Sequence, residues 1–172
     1  MLKLEQRSAM IGNVVTGKTE FHGDQAKSAI YIPISDVALT PEELGDVLLV
    51  PKAHKLLYKS VRNRPAEPVF GSLLQPLQFA KKISGVTVSI LLARKIVRIT
   101  DCTLSGAAIK LDAGGTAKWS FKIHCVPDLV DDLIDKLIGK LSSEVLISIQ
   151  CEGYGAQPEL PLEETGEGYD EE

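Results

Sequence analysis

The side chains best suited to a chemical role are the cations between positions 52 and 64, a stretch that holds no acid. They are Lys52, Lys55, Lys59, Arg62 and Arg64. If this stretch is helical, the first four recur at spacings of three, four and three residues and share one face. That face can contact the phosphates of a nucleic acid, and Tyr58 among the cations can stack on an exposed base. The alternative interpretation is a solvated helix face without a ligand.

Two smaller basic clusters occur further along the chain. The first stands at the entry to a predicted strand and consists of Arg94, Lys95 and Arg98. The second consists of Lys118 and Lys122, which flank Trp119. Because Trp119 alternates with Phe121 and Ile123, we expect its ring in the core rather than on a binding surface. The predicted nucleic-acid contacts therefore come from residues 52–64 and 94–98.

Motifs for catalysis are missing from the sequence. It contains no phosphate-binding Gly-x-x-x-x-Gly-Lys-Ser/Thr, no Gly-x-Gly-x-x-Gly and no His-Glu-x-x-His. The histidines, His22, His54 and His124, are far apart and close to no obvious carboxylate cluster. His124 precedes Cys125, but neighbours on a strand point to opposite faces and cannot form the hydrogen bond that activates a thiol. We expect no enzyme activity, no metal and no cofactor.

The cysteines and the apolar runs indicate where the protein works. Cys102, Cys125 and Cys151 are odd in number, widely spaced and set in apolar runs, so we expect small buried hydrophobes rather than a disulfide or zinc site. No apolar run approaches the length of about 20 residues that a membrane span needs. The N-terminus lacks the apolar core of a signal peptide. The expected compartment is the bacterial host cytoplasm.

The net charge of −4 is unevenly divided. Residues 1–151 hold all 19 Lys and Arg and 15 of the 23 acids, which gives +19 − 15 = +4. Residues 152–172 hold the other 8 acids and no base, which gives −8. Such asymmetry is typical of an interaction tail. The tail, 153–172, is predicted to be disordered, and it can occupy a basic groove of its own chain, dock other proteins, or simply keep the protein soluble.

Hydrophobic periodicity predicts a β-rich domain over residues 1–152. The predicted strands are 7–16, 26–37, 69–74, 75–83, 86–92, 95–104, 109–111, 117–126 and 144–151. Thr40, Pro41 and Glu43 form a strong helix start, and a second helix is predicted over 128–141. Paired glycines at 114 and 115 predict a hairpin turn. The expected class is α+β and mostly antiparallel: a small barrel or curved sheet, OB-like, with one or two covering helices.

A small β-barrel with scattered bases and an acidic tail resembles the single-stranded DNA-binding proteins of bacteria and tailed phages. The opening also resembles small early-region phage proteins, on Ile11-Gly12-Asn13-Val14, His22-Gly23-Asp24 and Ile32-Pro33-Ile34-Ser35-Asp36. The end of the chain, Tyr169-Asp170-Glu171-Glu172, differs from the bacterial tail, which places an apolar residue after its acids. The resemblance implies a phage-type role in DNA replication or recombination.

These observations leave three hypotheses. The first is a phage single-stranded DNA-binding protein, with the tail modulating DNA access or docking replication or recombination proteins, and with homo-oligomers as an open possibility. The second is a phage protein-binding module or inhibitor of a host defence or replication protein. The third is an enzyme on a β-barrel, which requires distant His and Asp residues to converge in one pocket.

Overall fold

The computed structural model describes residues 1–22, 25–60, 62–71, 75–92, 95–126 and 130–155. The strands are β1 Leu2–Ile11, β2 Val15–His22, β3 Gln25–Leu39, β4 Tyr58–Lys59, β5 Glu67–Pro68, β6 Leu77–Phe79, β7 Ile83–Leu92, β8 Lys95–Asp112, β9 Thr116–Cys125 and β10 Glu144–Cys151. The helices in these residues are α1 Pro41–Leu48, α2 Ala53–Leu57 and α3 Val130–Ile138.

Six of the strands close into a barrel. Their order around the ring is β1, β10, β7, β8, β9 and β3, and β3 pairs back onto β1. Every neighbouring pair in this ring is antiparallel, while β2 extends the sheet beyond β3 and β6 pairs with β8. The barrel is OB-like in shape, which confirms the predicted mainly antiparallel fold class. Closure pairs the strand edges that would otherwise be open to other chains.

Alternation along each strand separates the core from the outer surface. In β9, Trp119, Phe121 and Ile123 point into the barrel and are buried, and Lys122 between them is exposed. The predicted two faces of this strand and the core position of Trp119 are confirmed. The predicted hairpin is also confirmed, because Asp112 pairs with Thr116 across the turn. All three cysteines are buried and unpaired by disulfides, as expected.

The contact between β1 and β3 closes the ring and is short. These strands pair only through Met10 with Ser35 and through Ile11 with Ile34. The helix α1 packs against both strands. On β1 the register shifts between Leu4 and Arg7, so that Arg7 lies opposite the buried Ile147 of β10. A bulge of this kind moves a side chain to the other face of a strand, and it directs Arg7 toward α1.

Glu43 joins the start of α1 to the barrel. One of its carboxylate oxygens, Oε1, accepts from Nε and Nη2 of Arg7 at 2.9 and 2.7 Å. The other, Oε2, accepts from the backbone N–H of Thr40 at 2.8 Å, and the Thr40 hydroxyl accepts from the N–H of Glu43 at 3.2 Å. The predicted capping box is therefore confirmed, and the same carboxylate also neutralises the one cation that the β1 bulge turns inward.

Some predicted element bounds were wrong. The predicted strand 7–16 is two elements, because β1 ends at Ile11 and β2 begins at Val15. Of the two strands predicted over 69–83, the described part holds only β6 and the first residue of β7, since Pro76 cannot donate a backbone hydrogen bond to a sheet. The helix predicted over 128–141 ends earlier, at Ile138, and residues 128 and 129 lie outside the described residues. Residues 156–172 of the predicted tail lie outside the described residues.

Within the described residues, no helix is both long enough and apolar enough to cross a membrane.

Candidate nucleic-acid interface

The basic residues at 52–64 do not lie on one helix. The helix α2 covers only Ala53–Leu57, and Tyr58–Lys59 already forms β4, which pairs with β5. Lys52 has a left-handed backbone with φ of 59° and stands before the helix. The predicted single helix face for Lys52, Lys55, Lys59 and Arg62 is therefore wrong. The pairing of β4 with β5 follows directly after Leu57, so of these four cations only Lys55 lies within the helix.

The segment is instead attached to the hairpin between β8 and β9. The His54 ring nitrogen Nε2 lies 2.9 Å from the carbonyl oxygen of Gly115. The Tyr58 hydroxyl donates to the carbonyl oxygen of Thr116 at 2.6 Å. The two rings are stacked on each other, with centroids 4.6 Å apart. These contacts hold the 52–64 segment at the hairpin end of the barrel.

Tyr58 is therefore part of the core and not a base-stacking surface. Its side chain is 5% exposed, and one ring face is covered by His54. The stacking role predicted for Tyr58 does not fit this position, because the side chain is almost completely buried and a base cannot reach it. Burial, and then the negative charge of Asp112, raise the pKa of Tyr58 to about 12 from its usual 10.0.

We expect Tyr58→Phe to change how stability depends on alkaline pH. In the unfolded chain the phenol ionises near pH 10, whereas in the folded protein it stays protonated until about pH 12. A raised folded-state pKa contributes stability below pH 10 that is lost as the pH rises through 12. The free energy of unfolding, measured in urea, should fall less between pH 9 and pH 11 in the variant than in the wild type. An identical drop in both proteins would contradict this assignment.

Most cations of the 52–64 segment are available to an external anion. Lys59 lies 3.4 Å from the carboxylate of Glu67, an exposed pair of little energetic weight. The other four are exposed and form no ion pair within the described part of the chain: Lys52, Lys55, Arg62 and Arg64. The segment thus presents positive charge to solvent, although not in the predicted geometry.

The second basic cluster lies at the start of β8. Lys95 is exposed opposite Leu92 at the tip of the β7–β8 hairpin, while Arg94 falls outside the described residues. Arg98 points outward into an open cleft of about 700 Å³ on the outer face of β1, β10, β7 and β8. Ser89, the cross-strand neighbour of Arg98, and Ser148 beside it line the cleft floor. We refer to this as the Arg98 cleft.

The structure adds an aromatic pair that the sequence reasoning missed. Tyr31 on β3 and His124 on β9 are cross-strand partners on the outer face, with ring centroids 4.8 Å apart and planes 25° apart. Gly17 on β2 makes room for the Tyr31 ring, since a Cβ at Gly17 would lie 2.4 Å from it. Both rings are partly exposed, and Lys122 lies two residues from His124 on the same face of β9. This pair and Lys122 are called the Tyr31 platform.

Lysines connect the Tyr31 platform to the 52–64 segment. On the outer face of β9, Lys118 precedes Lys122 by four residues, about 13 Å along a strand. Lys118 and Lys110 share Asp112, at 3.0 and 3.5 Å. Hydrogen bonding to Lys118 is the largest cause that lowers the pKa of Asp112 below its usual value. Lys118 and Lys110 therefore lie between the platform and the hairpin that carries the 52–64 segment, with Asp112 between them and Asp36 close to Lys118.

The two predicted clusters do not converge in one pocket. Arg98 lines the Arg98 cleft, whereas Lys52 and Lys55 line a different depression beside α1 and the residues that follow β10. The Tyr31 platform lies next to β8, where Thr103 pairs with His124. The predicted residues therefore belong to separate parts of the barrel surface.

The candidate nucleophile and metal residues do not assemble a reaction centre in the described residues. Cys125 points into the core, whereas His124 lies on the outer face, so the predicted separation of this pair is confirmed. Contact with the Cys125 thiol, and then burial, raise the pKa of Cys102. No group of three or more His, Cys, Asp or Glu residues in that part of the chain is placed to hold a metal ion.

Comparison with protein-family models, with curated proteins and with solved structures gives no match in any of the three.

Proposed function

We propose that this protein binds single-stranded DNA along the outer face of its barrel, as a phage protein acting in DNA replication or recombination. The observation that carries the proposal is the Tyr31 platform: a stacked aromatic pair beside an exposed lysine on a β-sheet surface. Aromatic rings on a sheet stack on bases of any sequence, and nearby cations contact the phosphates. The exposed cations of the 52–64 segment, at the hairpin end of the barrel, offer the DNA strand further phosphate contacts.

Single strands suit this surface better than a duplex does. Base stacking on Tyr31 or His124 requires an unpaired base, which a duplex does not offer. The charge of residues 1–151 is only +4, which is low for a protein that binds a duplex through phosphate contacts alone. We therefore expect modest affinity, little sequence preference and strong dependence on salt.

The test is the fluorescence anisotropy of a labelled oligothymidylate titrated with the full chain over a series of salt concentrations. If about four phosphates are neutralised, log K should fall with log salt at a slope of about −3. A labelled duplex of the same length should bind more weakly at each salt concentration. Absence of a salt-sensitive signal, also in a variant with Glu163 and Glu164 changed to glutamine, would reject DNA binding.

A protein-binding role is the second candidate, and a separate surface favours it. Ile96, Leu91 and Leu146 are neighbours across β8, β7 and β10 on the outer face. Ile96 is 69% exposed and Leu146 is 37% exposed, so this row is an apolar strip on a monomer surface. An inhibitor of a host protein would use the strip, and Ile96→Ser would then abolish the inhibition without changing DNA affinity.

A further inference from the structure

The chain leaves the described structure inside a groove. This groove, about 1080 Å³, lies between α1, the start of α2 and the end of β10. We call it the Leu49 groove, and its lining includes Leu49, Pro51, Lys52, Lys55, Tyr154 and Gly155. Leu49 is 42% exposed, and Pro51 in the same lining is also exposed. Apolar area of this kind on a small domain is typical of a binding surface.

The exit of the chain is fixed against the groove. The Tyr154 hydroxyl donates to the carbonyl oxygen of Val47 in α1 at 2.6 Å, and the amino group of Met1 donates to the carbonyl oxygen of Tyr154 at 2.8 Å. Gly155 has φ of 85° and passes so close to Leu49 that a Cβ would lie 2.9 Å from Leu49 Cδ2. The next 17 residues, 156–172, therefore begin at the groove wall.

The composition of those residues matches the groove. Leu160 and Leu162 are the first large apolar residues after the exit, and Glu163 and Glu164 follow them. Five residues of extended chain span at most about 17 Å, so Leu160 can reach Leu49. The groove also carries Lys52 and Lys55 on one wall.

We propose that residues 160–164 dock in the Leu49 groove of their own chain. Leu160 and Leu162 cover Leu49 and Pro51, and Glu163 and Glu164 lie against Lys52 and Lys55. The groove also holds acids, Glu42, Asp46 and Glu152, which offset Lys52, Lys55 and the amino group of Met1. Apolar contact is therefore the main anchor, and the acidic residues select the wall that carries the lysines. This inference goes beyond the proposed function and does not depend on DNA binding.

The experiment is paramagnetic relaxation enhancement in the full chain. A nitroxide is attached to Thr165→Cys, and it reacts there because Cys102, Cys125 and Cys151 are buried. The amide peaks of residues 49–55 should lose most of their intensity, while those of residues 120–124 keep theirs. Adding Leu160→Ser and Leu162→Ser should restore the peaks at 49–55. Tyr169→Ser, an aromatic change in the same tail outside the docking residues, should leave the broadening unchanged.

Three results would overturn the proposal: no broadening at 49–55, broadening that survives both leucine substitutions, or broadening that disappears on dilution. The last result would assign the groove to the tail of a second copy. Mixing spin-labelled, isotope-free protein with unlabelled, isotope-enriched protein separates that case directly, since only contact between molecules then broadens peaks. The relaxation measurement contains no DNA, so a failure to detect tail docking would not count against DNA binding. Likewise, a failure to detect DNA binding would not count against tail docking.

Discussion

Glu43→Ala should lower the free energy of unfolding by about 3 kcal/mol, the low end of the cost of breaking a buried ion pair. Glu43 is 9% exposed, and its carboxylate accepts hydrogen bonds from the guanidinium of Arg7 and from the backbone N–H of Thr40. Its removal leaves the inward-facing Arg7 without its carboxylate and takes away half of the α1 capping box. The low end applies because the Arg7 side chain is still 36% exposed.

Thermal and urea unfolding measure this effect against two controls. For a chain of this size about 3 kcal/mol corresponds to a fall in Tm of roughly 6–12 °C. Glu42→Ala changes an exposed acid in the same helical turn and should shift stability by less than about 0.5 kcal/mol. Glu43→Gln can keep the capping contact and should lie between the two. Equal stabilities for Glu43→Ala and Glu42→Ala would show that the ion pair between Glu43 and Arg7 does not stabilise the fold.

Tyr31→Ala combined with Lys122→Ala should weaken binding of single-stranded DNA by about 100-fold. Loss of one base stack costs about 1–3 kcal/mol, which is roughly 5- to 150-fold in affinity. Loss of one phosphate contact on a single strand should also reduce the salt slope by about 0.7. Both side chains lie on the outer face, so the fold should tolerate their removal.

Matched variants separate stacking from charge. Tyr31→Phe keeps the ring over His124 and should bind DNA as the wild type does, with the same salt slope. Lys136→Ala removes a lysine of α3 that pairs with Asp132 and belongs neither to the platform nor to the 52–64 segment, and it should leave affinity unchanged. If the double variant binds DNA with wild-type affinity, the DNA strand contacts another part of the barrel. The Arg98 cleft is then the next surface to test.

Local patterns in the sequence predicted several elements of the fold correctly. The capping box at Thr40 and Glu43 depends on residues three apart, and the hairpin at 112–116 depends on two adjacent glycines. Period-2 alternation in β9 placed Trp119 in the core. In each case the physical cause lies within a few neighbouring residues, which is why one sequence suffices.

The predictions that were wrong concern features that depend on residues elsewhere in the chain. The short length of α2 follows from pairing of β4 with β5, and Tyr58 is buried because the hairpin between β8 and β9 offers the carbonyl oxygen of Thr116. Nothing near Tyr58 in the sequence signals that partner. A basic stretch in which four cations recur at helical spacing therefore predicted a helix face that the barrel does not allow.

The Tyr31 platform was missed for the same reason. Alternation placed Tyr31 and His124 on outer faces of their strands, but only the register of β3 against β9 makes them neighbours. Strand register over 93 residues of separation is a property of barrel closure and is not readable from either segment alone.

The most direct test of the DNA-binding proposal is a map of chemical-shift changes in isotope-labelled full-length protein on addition of an oligothymidylate. The account predicts that the largest changes fall on the Tyr31 platform, at Tyr31, Lys122 and His124, and continue through Lys118 to the exposed cations of the 52–64 segment. Peaks of the apolar strip at Leu91 and Leu146 should stay in place. Changes confined to that strip or to the Arg98 cleft, or no changes at low salt, would contradict it.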